Sequence, residues 1–151
     1  MDKYMRMAIN EAKKGINSSH GGPFGCVIVK DGIVIAKAHN TVLKDHDATC
    51  HGEVNAIRKA SKRLGTHDLL GCILYTTAEP CPMCLGAILW ANIDKVFYGC
   101  NIADTEEIGF RDSKFYNLTQ EEKANFIKEL DRKQCLKLYD SYKAIENKEN
   151  Y

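Results

Sequence analysis

Cys72-Ile73-Leu74-Tyr75-Thr76, then Pro80-Cys81-Pro82-Met83-Cys84 leading into Leu85–Ala91, then Lys95-Val96-Phe97-Tyr98-Gly99-Cys100, decide the fold of this chain. The first segment is rich in β-branched and aromatic residues and reads as a strand. Cys84 to Ala91 reads as a short apolar helix and Lys95 to Cys100 as the next strand. Upstream, Tyr4, Met5, Ala8, Ile9, Ala12 and Ile16 recur at helical spacing, with Gly15 and Asn17 as the stop signal. Cys26–Lys30 and Ile33–Ala38 flank Asp31-Gly32, the strongest short hairpin signal. From Glu53 to Leu64, Val54, Ile57, Ala60 and Leu64 share one helix face, which Gly65 ends. Strands alternating with helices predict an α/β fold, with helices covering both faces of the sheet.

Length and composition fit that expectation. A chain of 151 residues, 44% apolar and 27% charged, is the size of one domain with a real core. Basic side chains number 21 and acidic ones 20, and no lysine- or arginine-rich arm stands out as a nucleic-acid footprint. The N-terminus lacks the apolar region of a signal peptide. No run approaches the roughly 18 apolar residues of a membrane span. Seven cysteines, an odd number, point to reduced thiols in the cytoplasm and to metal binding over a disulfide framework.

The chemistry is carried by two separated motifs, His51-Gly52-Glu53 and Pro80-Cys81-Pro82-Met83-Cys84. One imidazole and two thiolates offer three zinc ligands, and a site with three protein ligands keeps a position open, the mark of a catalytic centre. His-x-Glu followed by Pro-Cys-x-x-Cys is the signature of zinc-dependent nucleobase deaminases, with the glutamate moving protons. Cys81 and Cys84, three apart, share a face of a first helical turn, which Pro80 and Pro82 help to start. His51 and Glu53 would lie about 200° apart on a regular helix. They converge only if His51 sits at the irregular entry to that helix.

Each motif has a plainer reading. His-x-Glu alone is common, and a lone Cys-x-x-Cys serves redox sites or half of a zinc ribbon. No second Cys-x-x-Cys completes a ribbon here, so the joint occurrence carries the specificity. Cys26, Cys72 and Cys100 fall in strand runs and read as core thiols, and Cys50 as a packing residue. Gly21-Gly22-Pro23-Phe24-Gly25 lacks the ending of a phosphate loop and reads as a flexible lead-in to a strand. Ile102–Asn117 looks loop-rich, and Thr119-Gln120-Glu121-Glu122 reads as a capping box opening a helix. The tail from Cys135 to Tyr151 keeps Leu136, Leu138, Tyr139, Tyr142 and Ile145, more than a disordered tail retains, and is expected to dock.

Thr77-Ala78-Glu79-Pro80-Cys81-Pro82-Met83-Cys84-Leu85-Gly86-Ala87-Ile88 resembles the cytidine and deoxycytidylate deaminase superfamily, most of all its guanine-deaminating bacterial branch. The likeness extends from Gly21–Gly25 through Ala56–Ala60, Leu89-Trp90-Ala91 and Gly109-Phe110-Arg111-Asp112-Ser113 to Asn147–Tyr151. It departs at Gly52, where alanine is usual, at Ala78, where cysteine is usual, at Ala48-Thr49-Cys50, and across Leu118–Leu138.

The resemblance implies a three-layer α/β/α fold with a five-stranded mixed sheet. It also implies one deaminase domain over residues 1–151, in a homodimer that swaps a C-terminal segment of about 135–151. It implies one Zn²⁺ per subunit on His51, Cys81 and Cys84, Glu53 as proton shuttle and Asp112 as a second proton-handling carboxylate that also reads the substrate amine. Phe24, Asn40, Gly52, Trp90 and Tyr151 would complete the substrate contacts, Tyr151 from the partner subunit if the swap holds. Bland alternatives stand beside these: Trp90 as core, Asn40 as a turn former, Asp112 as a cap, Tyr151 as a frayed end.

The expected reaction is hydrolysis of guanine to xanthine and ammonia in purine metabolism. Rival readings are deamination of cytosine, cytidine, guanosine or tRNA adenosine, and a non-catalytic zinc-binding interaction module. The expected partners are a small purine base and a second copy of the chain, without membrane or nucleic acid.

Overall fold

In the computed structural model, which describes residues 1–151, Asp31 and Gly32 take φ of 50° and 76°. Positive φ at both central residues is what a type I′ turn requires, and its twist suits two antiparallel strands. β1 (Gly25–Lys30) accordingly folds back on β2 (Ile33–His39). β3 (Cys72–Ala78) adds antiparallel to β1, and β4 (Lys95–Cys100) adds parallel to β3, giving the order β2-β1-β3-β4. The parallel pair needs a crossover, and α4 (Pro82–Trp90) supplies it.

Alternation along β1 divides the interior into two cores. Cys26 and Ile28 join Ala56, Ala60, Leu74 and Ile88 beneath α3 (Gly52–Leu64) and α4. Val27 and Val29 join Ala8, flanked by Tyr4, Met5 and Tyr75, beneath α1 (Lys3–Asn17). Helices therefore cover both faces, as the alternating elements predict. α1 opens on Asp2, whose carboxylate accepts the amides of Tyr4 and Met5. It runs through Gly15 to Asn17, so Gly15 is not the stop that its type suggested. A one-turn helix, α2 (Val42–Asp45), follows β2, and Gly65, at φ 69°, ends α3.

Three expectations need correction. The sheet has four strands, not five. After β4, the Asn101 side chain accepts the Asp104 amide while the Asp104 carboxylate accepts the Asn101 amide, and this reciprocal cap turns the chain into α5 (Ile102–Glu107). Together with α6 (Asp112–Tyr116), that helix replaces the loop expected at 102–117. Cys100 is exposed rather than buried, because β4 is an edge strand and is largely open to solvent. Cys26 and Cys72 are buried as expected.

The chain divides into two compact units, Met1–Tyr116 and Asn117–Tyr151. All the elements above belong to the first. The second contains α7 (Gln120–Phe126), opened by the expected Thr119–Glu122 capping box, and α8 (Arg132–Lys143), which the sequence reading did not define. Phe126, Ile127, Leu130, Leu138 and Tyr139 in this unit are between 63% and 88% exposed. No helix in the chain is long and apolar enough to cross a membrane.

Candidate metal centre and cleft

His51 is the N-cap of α3, with extended backbone at φ −68° and ψ 157°. The residue that had to leave the helix for His51 and Glu53 to converge has done so, and Glu53 is buried in the first turn. The second motif repeats the device. Cys81 is the N-cap of α4 at φ −66° and ψ 168°, Pro82 is the first helical residue, and Cys84 follows in the first turn. Tyr116 Oη donates to the Pro80 carbonyl at 2.6 Å, fixing the approach to Cys81.

These two helix entries bring together one donor atom each from His51, Cys81 and Cys84, all within 4.8 Å of one another. His51 Nδ1 lies 3.6 Å from Cys81 Sγ and 3.5 Å from Cys84 Sγ. A tetrahedral zinc with ordinary Zn–S and Zn–N bonds would hold sulfur and nitrogen about 3.5 Å apart. The donors thus have both the chemistry and the spacing that zinc requires. Cys50, although next to His51 in sequence, is outside this group; its sulfur is buried and accepts from Arg58 Nη1 at 3.6 Å.

Electrostatics agree with a cation site. The hydrogen bond from Cys84, with help from His51, pulls the Cys81 thiol well below its usual range, while the same bond and burial push Cys84 up. The pair therefore favours one thiolate, that of Cys81. Its partnership with Cys81 raises His51 despite burial. Glu53 is raised, chiefly by burial, against the hydrogen bonds it accepts. Thr76 Oγ1 donates to its Oε1 at 2.8 Å, and Cys84 Sγ donates to its Oε2 at 3.4 Å.

His51 and Cys81 open onto a cleft of about 560 Å³ whose lining also includes Phe24, Asn40, Glu53 and Asp112. Asp112, at the start of α6, is raised by burial and by the nearby Cys81. Asn40 is 3% exposed; its Oδ1 accepts the Val42 amide at 3.1 Å, which turns its Nδ2 donor elsewhere. The Gly21-Gly22 stretch, read above as a lead-in to a strand, lines the cleft as well.

Three expected contacts are not part of this lining. Gly52 is buried at the start of α3, where an added Cβ would sit 3.2 Å from the Phe24 carbonyl oxygen. Trp90 ends α4 and is 67% exposed, neither core nor cleft. Tyr151 belongs to the second unit and is 82% exposed.

The sequence reading also missed residues. Phe110 lines the cleft and meets Phe24 edge-on at 4.7 Å between ring centroids. Its signal was an aromatic two positions before Asp112. Thr76, fully buried, is a polar side chain on the apolar face of β3, and that anomaly marked it as a partner for something charged.

Comparison with known proteins follows the same lines. The sequence model of the family described as cytidine and deoxycytidylate deaminase zinc-binding region matches residues 1–100. Guanine deaminase from Bacillus subtilis (strain 168) is 43% identical over 153 residues, covering 99% of this chain and 98% of that protein. The X-ray structure of guanine deaminase from Bacillus subtilis superposes with a TM-score of 0.92 at 43% identity, covering 100% of this chain and 99% of that one. A tRNA-specific adenosine deaminase from Aquifex aeolicus is 43% identical over 95 residues, covering 63% of this chain and 62% of that protein.

Proposed function

The chain belongs to the cytidine and deoxycytidylate deaminase family, and from that premise we propose that it hydrolyses guanine to xanthine and ammonia, using one zinc ion per subunit. The observation that carries this reading is the end-to-end likeness to a guanine deaminase, which extends through the second unit, whereas the likeness to the Aquifex tRNA deaminase stops well short.

His51, Cys81 and Cys84 would hold the ion. Bound there, zinc would supply the Lewis acidity that makes water a competent nucleophile near neutral pH. The remaining chemistry belongs to side chains of the chain. Glu53 is anchored through Oε1 by Thr76, and Oε2, which Cys84 Sγ–H approaches at 3.4 Å, would be the oxygen that takes up and delivers protons once Cys84 binds the ion as a thiolate. Burial favours its protonated form, so it can also serve as an acid towards a ring nitrogen and the departing amine. Asp112, on the same cleft and similarly shifted, would receive the exocyclic amine. The Phe24–Phe110 pair offers an apolar wall for a flat ring, and the fixed amide of Asn40 turns a donor towards an acceptor such as a purine oxygen or ring nitrogen.

The same reading includes a homodimer in the cytoplasm in which residues of about 135–151, Tyr151 among them, complete the site of the partner subunit. Its support is the exposed apolar side chains of the second unit, which are costly to leave in water. The test is ammonia release by the zinc-loaded protein from guanine, guanosine, adenine, cytosine, cytidine and an adenosine-containing tRNA anticodon stem. Reaction with guanine alone is expected. Reaction with another member instead would replace the substrate assignment and keep the zinc–Glu53 chemistry.

A further inference from the structure

Glu11, His39 and His20 form a hydrogen-bonded chain outside the metal centre, and none of them takes part in the chemistry proposed above. Glu11 lies on α1, 8% exposed, and its Oε2 is 3.4 Å from His39 Nδ1 at the end of β2. His39 Nε2 is 2.9 Å from Nδ1 of His20, in the turn after α1, and the two rings stack at 5.2 Å. A carboxylate only accepts, so His39 Nδ1 carries a proton; in the singly protonated ring its Nε2 then accepts from His20 Nδ1–H. The fold makes room for this arrangement: a Cβ at Gly15 would lie 2.8 Å from His39 Cδ2. That is why a glycine stands inside α1, where it costs helix stability.

The residue that follows each histidine lines the cleft. Asn40 follows His39, and Gly21 follows His20. The two meet closely, since a Cβ at Gly21 would come within 2.0 Å of Asn40 Oδ1. The His20 carbonyl also accepts the amides of Leu43 and Lys44 in α2, tying the turn to the segment beyond Asn40. A partly buried polar chain that links three elements contributes geometric uniqueness that apolar contacts do not.

We propose that Glu11, His39 and His20 are positioning residues that hold the Asn40–Gly21 wall of the cleft in register for a purine base. The proposal rests on the deaminase reading for its substrate, not for its geometry.

Steady-state kinetics with guanine on the zinc-loaded His39→Phe and His20→Phe proteins test it, with Val34→Ala as a control that weakens β2 packing without touching the chain. The histidine variants should raise KM by roughly tenfold, with kcat and zinc content held. Val34→Ala should lower the unfolding midpoint and leave KM alone. His39→Gln, which keeps one donor and one acceptor, should recover most of the loss and serves if the phenylalanine variant does not fold. An unchanged KM in the histidine variants, an equal rise in Val34→Ala, or a loss confined to kcat would overturn the proposal. Amide exchange gives a reading without substrate: the Asn40 and Val42 amides, bonded to Phe24 O and Asn40 Oδ1, should lose protection in His39→Phe and not in Val34→Ala. If the wild-type protein leaves guanine untouched, the substrate assignment falls and the exchange comparison alone decides. Unaltered exchange then overturns the positioning role.

Discussion

Thr76 Oγ1 donates to Glu53 Oε1 at 2.8 Å, between two fully or nearly fully buried side chains, one from β3 and the other from the first turn of α3. The bond ties the strand that leads into Cys81 to the helix that carries Glu53, while Oε2 of the same carboxylate accepts from Cys84 Sγ at 3.4 Å. Thr76→Val keeps the shape of the side chain and removes the donor. An unmade buried hydrogen bond to a charged group costs about 1–3 kcal/mol, so kcat for ammonia release should fall by about five- to 150-fold. Zinc content should not change. Full activity in Thr76→Val would show that Glu53 needs no such anchor.

Glu53→Gln is nearly isosteric but cannot carry the proton. Turnover should fall by at least about 10²–10⁴-fold, the usual contribution of a general acid–base group, while metal analysis still finds one zinc per chain. A variant that deaminates at the normal rate would contradict the mechanism.

Cys81→Ser and Cys84→Ser each remove a thiolate from the donor set. Both should lose zinc and activity together. Chelation of the wild-type protein should likewise abolish turnover and lower the unfolding temperature, since an ion bound only by the folded state stabilises it. Retention of zinc by both serine variants would place the ion elsewhere.

Gly21→Ala puts a Cβ within 2.0 Å of Asn40 Oδ1, a contact that only displacement of Asn40 relieves. KM for guanine should rise at least tenfold, about 1.4 kcal/mol, without loss of metal. An alanine variant with unchanged KM would exclude this wall from substrate binding.

Deleting the last few residues through Tyr151 should cripple guanine turnover and leave zinc bound, if the C-terminal segment completes a site. Full activity after truncation removes the tail from the mechanism.

Glu11 gives a pH signature of stability. Burial raises its carboxyl, but the bonds from Lys14 at 2.6 Å and from His39 outweigh it, so the net shift is below the ordinary 4.5. A carboxyl that is depressed in the folded state adds stability above the unfolded value, and that increment fades as pH falls through the folded value. The deficit of Glu11→Gln in urea unfolding should therefore be constant from pH 7 to about 5 and shrink below 4.5. A deficit that grows towards acid would reverse the assignment.

Much of this was readable from the residues because it depends on local chemistry. The Asp31-Gly32 turn, the periodicity of α3 and the Thr119 capping box are decided within a few residues of chain, and each formed where its pattern placed it. The three zinc donors were readable because ligand chemistry restricts them to cysteine and histidine at helix starts. Other features depended on what packed against what. A fifth strand was expected from resemblance, yet the sheet has four, and where a loop was expected after β4 the Asn101–Asp104 cap opens a helix. Trp90 was assigned to the cleft, yet the end of α4 carries it to the surface.

Sequence alone determined the His51, Cys81 and Cys84 donor set and the alternation of strands and helices, because spacing and side-chain chemistry suffice for them. Only the tertiary structure decided that His51 leaves its helix to face two sulfurs, that Thr76 anchors Glu53, and that Gly15 makes room for His39. Those are distances between residues from 23 to 33 positions apart within one folded unit, measured as His51 to Cys84, Glu53 to Thr76 and Glu11 to His39 among others, and no local pattern encodes a distance that packing sets.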